Sequence, residues 1–188
     1  MIFYFLGAGA LAFFFIAKNR VAEEIGALVV ENSDSWTRFD SLFQKYGAQN
    51  GVDWRWLKAI CMNESSLGEA ESVAIGIANP YDIERSKSYD GKSWGVMQFT
   101  LPTARQFDPL ATEIKLNNPE YSIKLSGQFF KYLKTRFDSS SPRFLEMVIK
   151  SYNQGEGNSK KELAGKIEGY AGEYWARFQR NLARAQKG

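Results

Sequence analysis

The 188-residue chain contains no histidine and only one cysteine. Without imidazole, Ser-His-Asp triads, histidine general bases and His-rich zinc sites are all excluded. Acid–base chemistry therefore falls to carboxylates, lysine or tyrosine. The lone Cys61 cannot close an intramolecular disulfide, and its apolar helical surroundings make it a buried thiol. A transition-metal site would have to be built from carboxylates, so neither a metal nor an organic cofactor is expected. Excess charge is missing too: 24 Lys and Arg face 21 Asp and Glu, a net charge of +3, and no nucleic-acid partner is expected. No long stretch alternates between apolar and polar residues, which argues against a sheet-based core. What is abundant is apolar material, 44% hydrophobic and 15% aromatic residues, enough for one packed domain with an appendage.

The appendage is N-terminal. Residues 2–17 carry no charge, and the run is closed by Lys18 and Arg20. As a helix it spans ~24 Å, short of a ~30 Å hydrocarbon core unless those two side chains snorkel and the helix continues. Val21, Ala22, Ile25, Leu28 and Val29 prolong the apolar stripe. A cleavable signal peptide is the rival reading, but no basic residue precedes the run. The expectation is therefore a transmembrane anchor with a helical extension over residues 1–30, contacting lipid through residues 2–17, followed by a domain over residues 31–188.

That domain reads as mainly α. Ser35 is positioned to cap a helix bearing Trp36, Phe39, Leu42, Phe43 and Tyr46, with Gly47 and Gly51 ending it. Asp53 caps a second helix through Trp54, Leu57, Ile60 and Cys61 that reaches Asn63-Glu64-Ser65. Residues 66–95 show no sustained period and read as a long surface excursion. Pro102, Asn118-Pro119 and Ser141-Pro142 each open a further helix. Gly155 and Gly157 break the helix that ends near Tyr152-Asn153, Ser159 to Glu162 forms a capping box for another, and Trp175, Phe178 and Leu182 mark the last.

Glu64 is the first candidate for chemistry. A carboxylate in the last turn of a helix faces unpaired carbonyls, and apolar neighbours such as Met62 and Met97 desolvate it further. Both effects raise its pKa, which is what a general acid working near neutral pH requires. A helix-end glutamate taken alone is ordinarily a solvated surface residue. Three clusters accompany it, however: Glu64-Ser65, Gly95-Val96-Met97-Gln98 followed by Thr103-Ala104, and Ser151-Tyr152-Asn153-Gln154-Gly155, with Tyr174 further on.

In this order and spacing the clusters resemble the lysozyme-like soluble lytic transglycosylase family (the SLT type, related in fold to goose-type lysozyme), over roughly Trp36 to Leu182. Ser151 stands where that family usually has Ala, and no second carboxylate in the excursion can be matched. The resemblance implies a peptidoglycan enzyme that acts on glycan strands with Glu64 as sole acid/base. Glu64 would protonate the oxygen between N-acetylmuramic acid and N-acetylglucosamine, then take the proton of the muramic C6 hydroxyl as it closes onto C1. The product would be a 1,6-anhydro sugar, with no water consumed. By the same resemblance Tyr152 and Asn153 position Glu64 and the N-acetyl group, Ser65 supports the cation or the C6 oxygen, Met97 and Gln98 line sugar subsites, and Tyr174 closes over Glu64. A core Met97, a helix-capping Asn153 and packing tyrosines are the alternatives.

Trp94, Phe99 and Tyr89 either stack on sugars or fill the core. The basic stretch Arg177, Arg180, Arg184 and Lys187 either favours the anionic wall polymer or is a solvated helix face. Two other functions stay open: a goose-type lysozyme that hydrolyses the same bond, and a catalytically idle wall-binding scaffold at a membrane. The charges after the apolar run place the domain on the cytoplasmic side, whereas peptidoglycan lies outside the inner membrane. A phage virion membrane, with virion proteins as partners, would resolve that conflict, and a bacterial inner membrane with the domain facing the wall, as a periplasm-facing enzyme or a partner of secretion-complex proteins, is the competing location.

Overall fold

The computed structural model describes residues 35–187. The first element, α1 (Asp40–Asn50), starts later than Ser35: residues 35–39 form a turn, and Phe39 holds the N-cap position without a side-chain cap. Gly47 stays inside the helix, buried, and Gly51 alone ends it, in the left-handed conformation with φ 61°. Two residues later Asp53 caps α2 (Trp54–Ser65) as expected, accepting from the Arg55 backbone N–H at 3.0 Å. The apolar face of α2 then buries Leu57, Ile60 and Cys61 completely.

Residues 66–95 correct the sequence reading. They hold α3 (Glu71–Ala78) and α4 (Ile83–Ser86) and end in a short hairpin, β1 (Ser93–Trp94) with β2 (Phe99–Thr100). The period was invisible because α3 is barely two turns of small and apolar residues all round. Nor is the stretch loose, since Asn117 donates to Pro80 O at 3.1 Å and to Ser86 Oγ at 2.8 Å, pinning both helices to the body.

The hairpin runs into α5 (Leu101–Ala104), with Thr100 as N-cap and Pro102 in its first turn. After α6 (Glu113–Asn117), Asn118 caps α7 (Pro119–Lys134), accepting from Tyr121 N at 2.9 Å with Pro119 at its first position. This central helix buries Ile123, Leu125, Phe130 and Leu133, and α1 packs along it. Ser141-Pro142 forms a turn before α8 (Phe144–Gln154), and Gly155 separates α8 from α9 (Glu156–Leu163). Here too a local reading gives way: Ser159 lies inside α9 with its hydroxyl accepting from Gln154, and Glu162 bonds Lys150, Arg143 and Gln154 instead of the helix start. Gly157 likewise lies within α9. The tertiary ion-pair network outweighs a capping box worth about 1 kcal/mol.

The final element, α10 (Gly172–Ala185), makes its most extensive contact with α2, burying Tyr174 and Phe178. Residues from Phe39 onward form one compact, mainly helical unit. Among the described residues no helix is long and apolar enough to cross a membrane. The anchor expected at residues 2–17, its extension to residue 30 and the domain start at residue 31 lie outside the described residues.

Candidate active site

Four segments meet at the end of α2. Glu64 sits in its last turn, and the chain then reverses through Ser66 and Leu67, two consecutive non-glycine residues in the left-handed region at φ 53° and 59°. Such conformations cost roughly 1–3 kcal/mol each and persist only where surrounding structure enforces them. Ser65 provides the enforcement: its hydroxyl donates to Val96 O at 2.8 Å and accepts from Gly68 N at 2.9 Å. Being 2% exposed and fully bonded, Ser65 has no hydroxyl free for a sugar. It fixes the turn behind Glu64 to the β1–β2 hairpin.

Gly95-Val96-Met97-Gln98 is the turn of that hairpin. Gly95 adopts φ 75°, and a Cβ there would lie 1.9 Å from Leu116 O, so only glycine lets the turn press against the end of α6. Met97 is 0% exposed and therefore packs the core instead of lining a sugar subsite. Gln98 keeps part of its surface open and is held by its Nε2 donating to Gly95 O at 2.9 Å. Trp94 and Phe99 are buried by their neighbours, while Tyr89 is fully exposed.

From α8, Tyr152 donates its hydroxyl to Met97 O at 2.7 Å and stacks on Phe130 with centroids 5.2 Å apart. Burial first, then the charge of Glu64, pushes its pKa well up, so its hydroxyl stays protonated. Asn153, next to it, is exposed.

From α10, Tyr174 donates its hydroxyl to Glu64 Oε1 at 2.5 Å. Asn63 secures the approach, donating to Tyr174 O at 3.1 Å and accepting from Asn181 at 2.7 Å. Arg177 lies one turn beyond Tyr174, its guanidinium 5.9 Å from the tyrosine ring centroid. Burial raises the Glu64 pKa from 4.5 to about 7, against the opposing pull of the Tyr174 hydrogen bond and the Arg177 charge. Tyr174 is itself driven well up, mainly by burial, and remains a donor. A carboxyl poised near neutrality can both deliver and recover a proton.

Glu64, Tyr152, Tyr174 and the Gly95–Gln98 turn are thus brought together, with Ser65 and Met97 supporting from behind. Sequence reasoning missed Asn63, Asn181 and Gln154. Gln154 donates to Glu162 at 2.7 Å and accepts from Ala171 N at 3.1 Å, fixing the residue before α10. Its position inside the Tyr-Asn-x-Gly cluster was the only available signal. Among the described residues no group of three or more His, Cys, Asp or Glu side chains could hold a metal ion. In comparison with known protein families, residues 41–170 match the transglycosylase SLT domain, a segment that stops before Tyr174. No curated protein matches the chain.

Proposed function

The chain belongs to the transglycosylase SLT family, and from that premise we propose that it is a lytic transglycosylase that cleaves peptidoglycan between N-acetylmuramic acid and N-acetylglucosamine. Glu64, protonated near neutral pH, donates to the glycosidic oxygen as the bond to C1 breaks. The carboxylate left behind accepts from Tyr174 and lies in the field of Arg177. It then takes the proton of the muramic C6 hydroxyl while that oxygen bonds to C1, so the enzyme regains its proton and a 1,6-anhydro end forms. Gln98 in the hairpin turn and Asn153 next to Tyr152, both with open surface, are the side chains assigned to the sugar and its N-acetyl group.

One observation carries this reading. Glu64 is a carboxyl whose pKa is raised by burial and pulled back by Tyr174 and Arg177, and among the described residues no carboxylate acts on it. A retaining hydrolase needs a carboxylate nucleophile at ~5 Å and an inverting one a carboxylate base somewhat further away. Ring closure by the substrate's own hydroxyl needs neither. The test is mass spectrometry of muropeptides released from purified sacculi, with anhydro ends expected from the wild type and none from Glu64→Gln. Reducing ends in their place would support a goose-type hydrolase. Undiminished release by Glu64→Gln would overturn the site, as would a wall-binding function that survives the substitution unchanged.

For location, the charge-free residues 2–17 support a membrane-attached enzyme, in a bacterial inner membrane facing the wall or in a virion membrane. Recovery with washed membranes or with purified virions is the expected result. A soluble, N-terminally shortened chain would overturn it.

A further inference from the structure

The entry to α10 is held from the end of α8. Between α9 and Ala171 the chain carries Gly165 and Gly169, and residues 167–170 make no backbone–backbone hydrogen bond among the described residues. Their ties run instead to Gln154, the last residue of α8. Gln154 Oε1 accepts from Ala171 N at 3.1 Å, and the Gln154 backbone oxygen accepts from the Tyr170 hydroxyl at 3.1 Å. Asn158 reinforces the second contact, donating to that backbone oxygen at 2.9 Å and to the Tyr170 hydroxyl at 3.3 Å. Ala171 O in turn accepts from Trp175 N at 3.0 Å, so the residue that Gln154 grips opens the turn that carries Tyr174.

Gln154 is itself held fast. It is 3% exposed, and its Nε2 donates to Glu162 Oε2 at 2.7 Å and to Ser159 Oγ at 3.2 Å. The other oxygen of Glu162 accepts from Lys150 at 2.6 Å and from Arg143 at 3.0 Å, and both cations also pair with Glu146. Glu162 cannot swing away from Gln154 without leaving the buried Lys150 partly uncompensated. The chain before α10 lies against the same carboxylate, since a Cβ at Gly169 would stand 1.8 Å from Glu162 Oε2. Every side-chain bond of Gln154 therefore reaches α9 or the first residue before α10, and none closes within α8.

This places one amide between the two tyrosines of the site. Tyr152 precedes it by two residues, and Tyr174 follows Ala171 by three. We propose that Gln154 is a positioning residue, which registers the first turn of α10 so that the Tyr174 hydroxyl reaches Glu64. The proposal deepens the reading of Glu64 as the catalytic acid and rests on it. Asn63 fixes one point of that turn through Tyr174 O, and one point does not set its tilt; Ala171 supplies the second. Beyond the first turn α10 has its own hold on α2, through Asn181 on Asn63 and the fully buried Phe178. Loss of the Gln154 grip therefore leaves Glu64 covered but without its donor. The groups acting on Glu64 are Tyr174 and Arg177 from α10, and Tyr152 from α8 lies within reach of its charge.

The test is a carbon-13 NMR titration of the Glu64 carboxyl in full-length protein labelled at glutamate, in detergent, with the resonance assigned by its loss in Glu64→Gln. Gln154→Met keeps the volume and removes the grip on Ala171. The carboxyl pKa should rise by about 0.5–1 pH unit, less than Tyr174→Phe raises it. In protein already carrying Tyr174→Phe, Gln154→Met should add nothing, because no hydroxyl is left to position. Gln154→Asn, which keeps the amide but falls one methylene short, should give a smaller rise, and it can be read if the methionine variant does not fold. A loss of stability with the pKa unmoved would make Gln154 structural and overturn the proposal. So would a fall in pKa, or a rise that persists beside Tyr174→Phe. Absence of anhydro ends from the wild type removes the reading of the reaction, whereas the positioning is read from the carboxyl without substrate.

Discussion

Glu64→Gln should make the protein more stable at alkaline pH and leave it unchanged at acid pH. The folded protein holds the Glu64 carboxyl at about 7 instead of 4.5, chiefly through burial. A carboxyl with a raised folded pKa favours the folded state fully below the unfolded value, and that advantage is lost as pH rises through the folded value. At 1.36 kcal/mol per pH unit, going from 4.5 to about 7 amounts to about 3 kcal/mol of stability lost between about pH 4 and pH 8.5. Glutamine has the same shape, is neutral throughout, and still offers an oxygen to Tyr174. The variant should therefore match the wild type at about pH 4 and exceed it at about pH 8.5 by about 3 kcal/mol, a rise in Tm of roughly 6–12 °C for a domain of this size. Thermal melts by circular dichroism at the two pH values provide the measurement. A Tm difference that is the same at both, or a variant less stable at high pH, would refute the assignment of a buried, near-neutral carboxyl. The same substitution abolishes the proposed activity, so stability gained and activity lost would come from a single atom change.

Tyr174→Phe removes the 2.5 Å hydrogen bond that favours the ionised acid, so the alkaline limb of kcat/KM should move up by about 1–2 pH units, read from pH–rate profiles. A limb that stays or moves down contradicts that role. Gly95→Ala forces a Cβ to 1.9 Å from Leu116 O at φ 75°, and urea denaturation should show a loss of roughly 3 kcal/mol or more, up to failure to fold. Gln154→Ala leaves Ala171 N without its acceptor and Glu162 without one donor, with a loss of roughly 2–4 kcal/mol expected in the same assay.

The sequence reveals what depends on neighbours along the chain. Asp53 and Asn118 mark helix starts through bonds that close within three residues, and Pro119 through its fixed φ, and these starts are where they were expected. The raised pKa of Glu64 was legible in direction from its place at a helix end, but its main cause is not. The burial comes from packing by α10, and the Met97 named as a desolvating neighbour lies in the core. Ser65 looked like a substrate ligand because its motif neighbour is the acid, yet its hydroxyl is consumed by Val96 O and Gly68 N, 31 and 3 residues away. The capping signal at Ser159 was sound local chemistry overruled by Lys150 and Gln154. In the 66–95 stretch the helices are too short for a period to emerge, and their hold on the body passes through Asn117, which no pattern in the stretch itself could indicate.

The hydrogen bond between Tyr174 and Glu64 joins residues 110 positions apart, and this sets an order of events during biosynthesis. At roughly 5–20 residues per second, Glu64 leaves the ribosome on the order of 5–20 s before Tyr174 does. Late in that interval the Gly95–Gln98 and Tyr152–Gly155 residues have been made, yet the glutamate still lacks the helix that carries its partner Tyr174. The environment that raises its pKa is complete only when α10 docks on α2. A chain ending at residue 170 or 171 therefore carries the whole matched family segment while lacking Tyr174 and Arg177, the two groups that act on the Glu64 carboxyl.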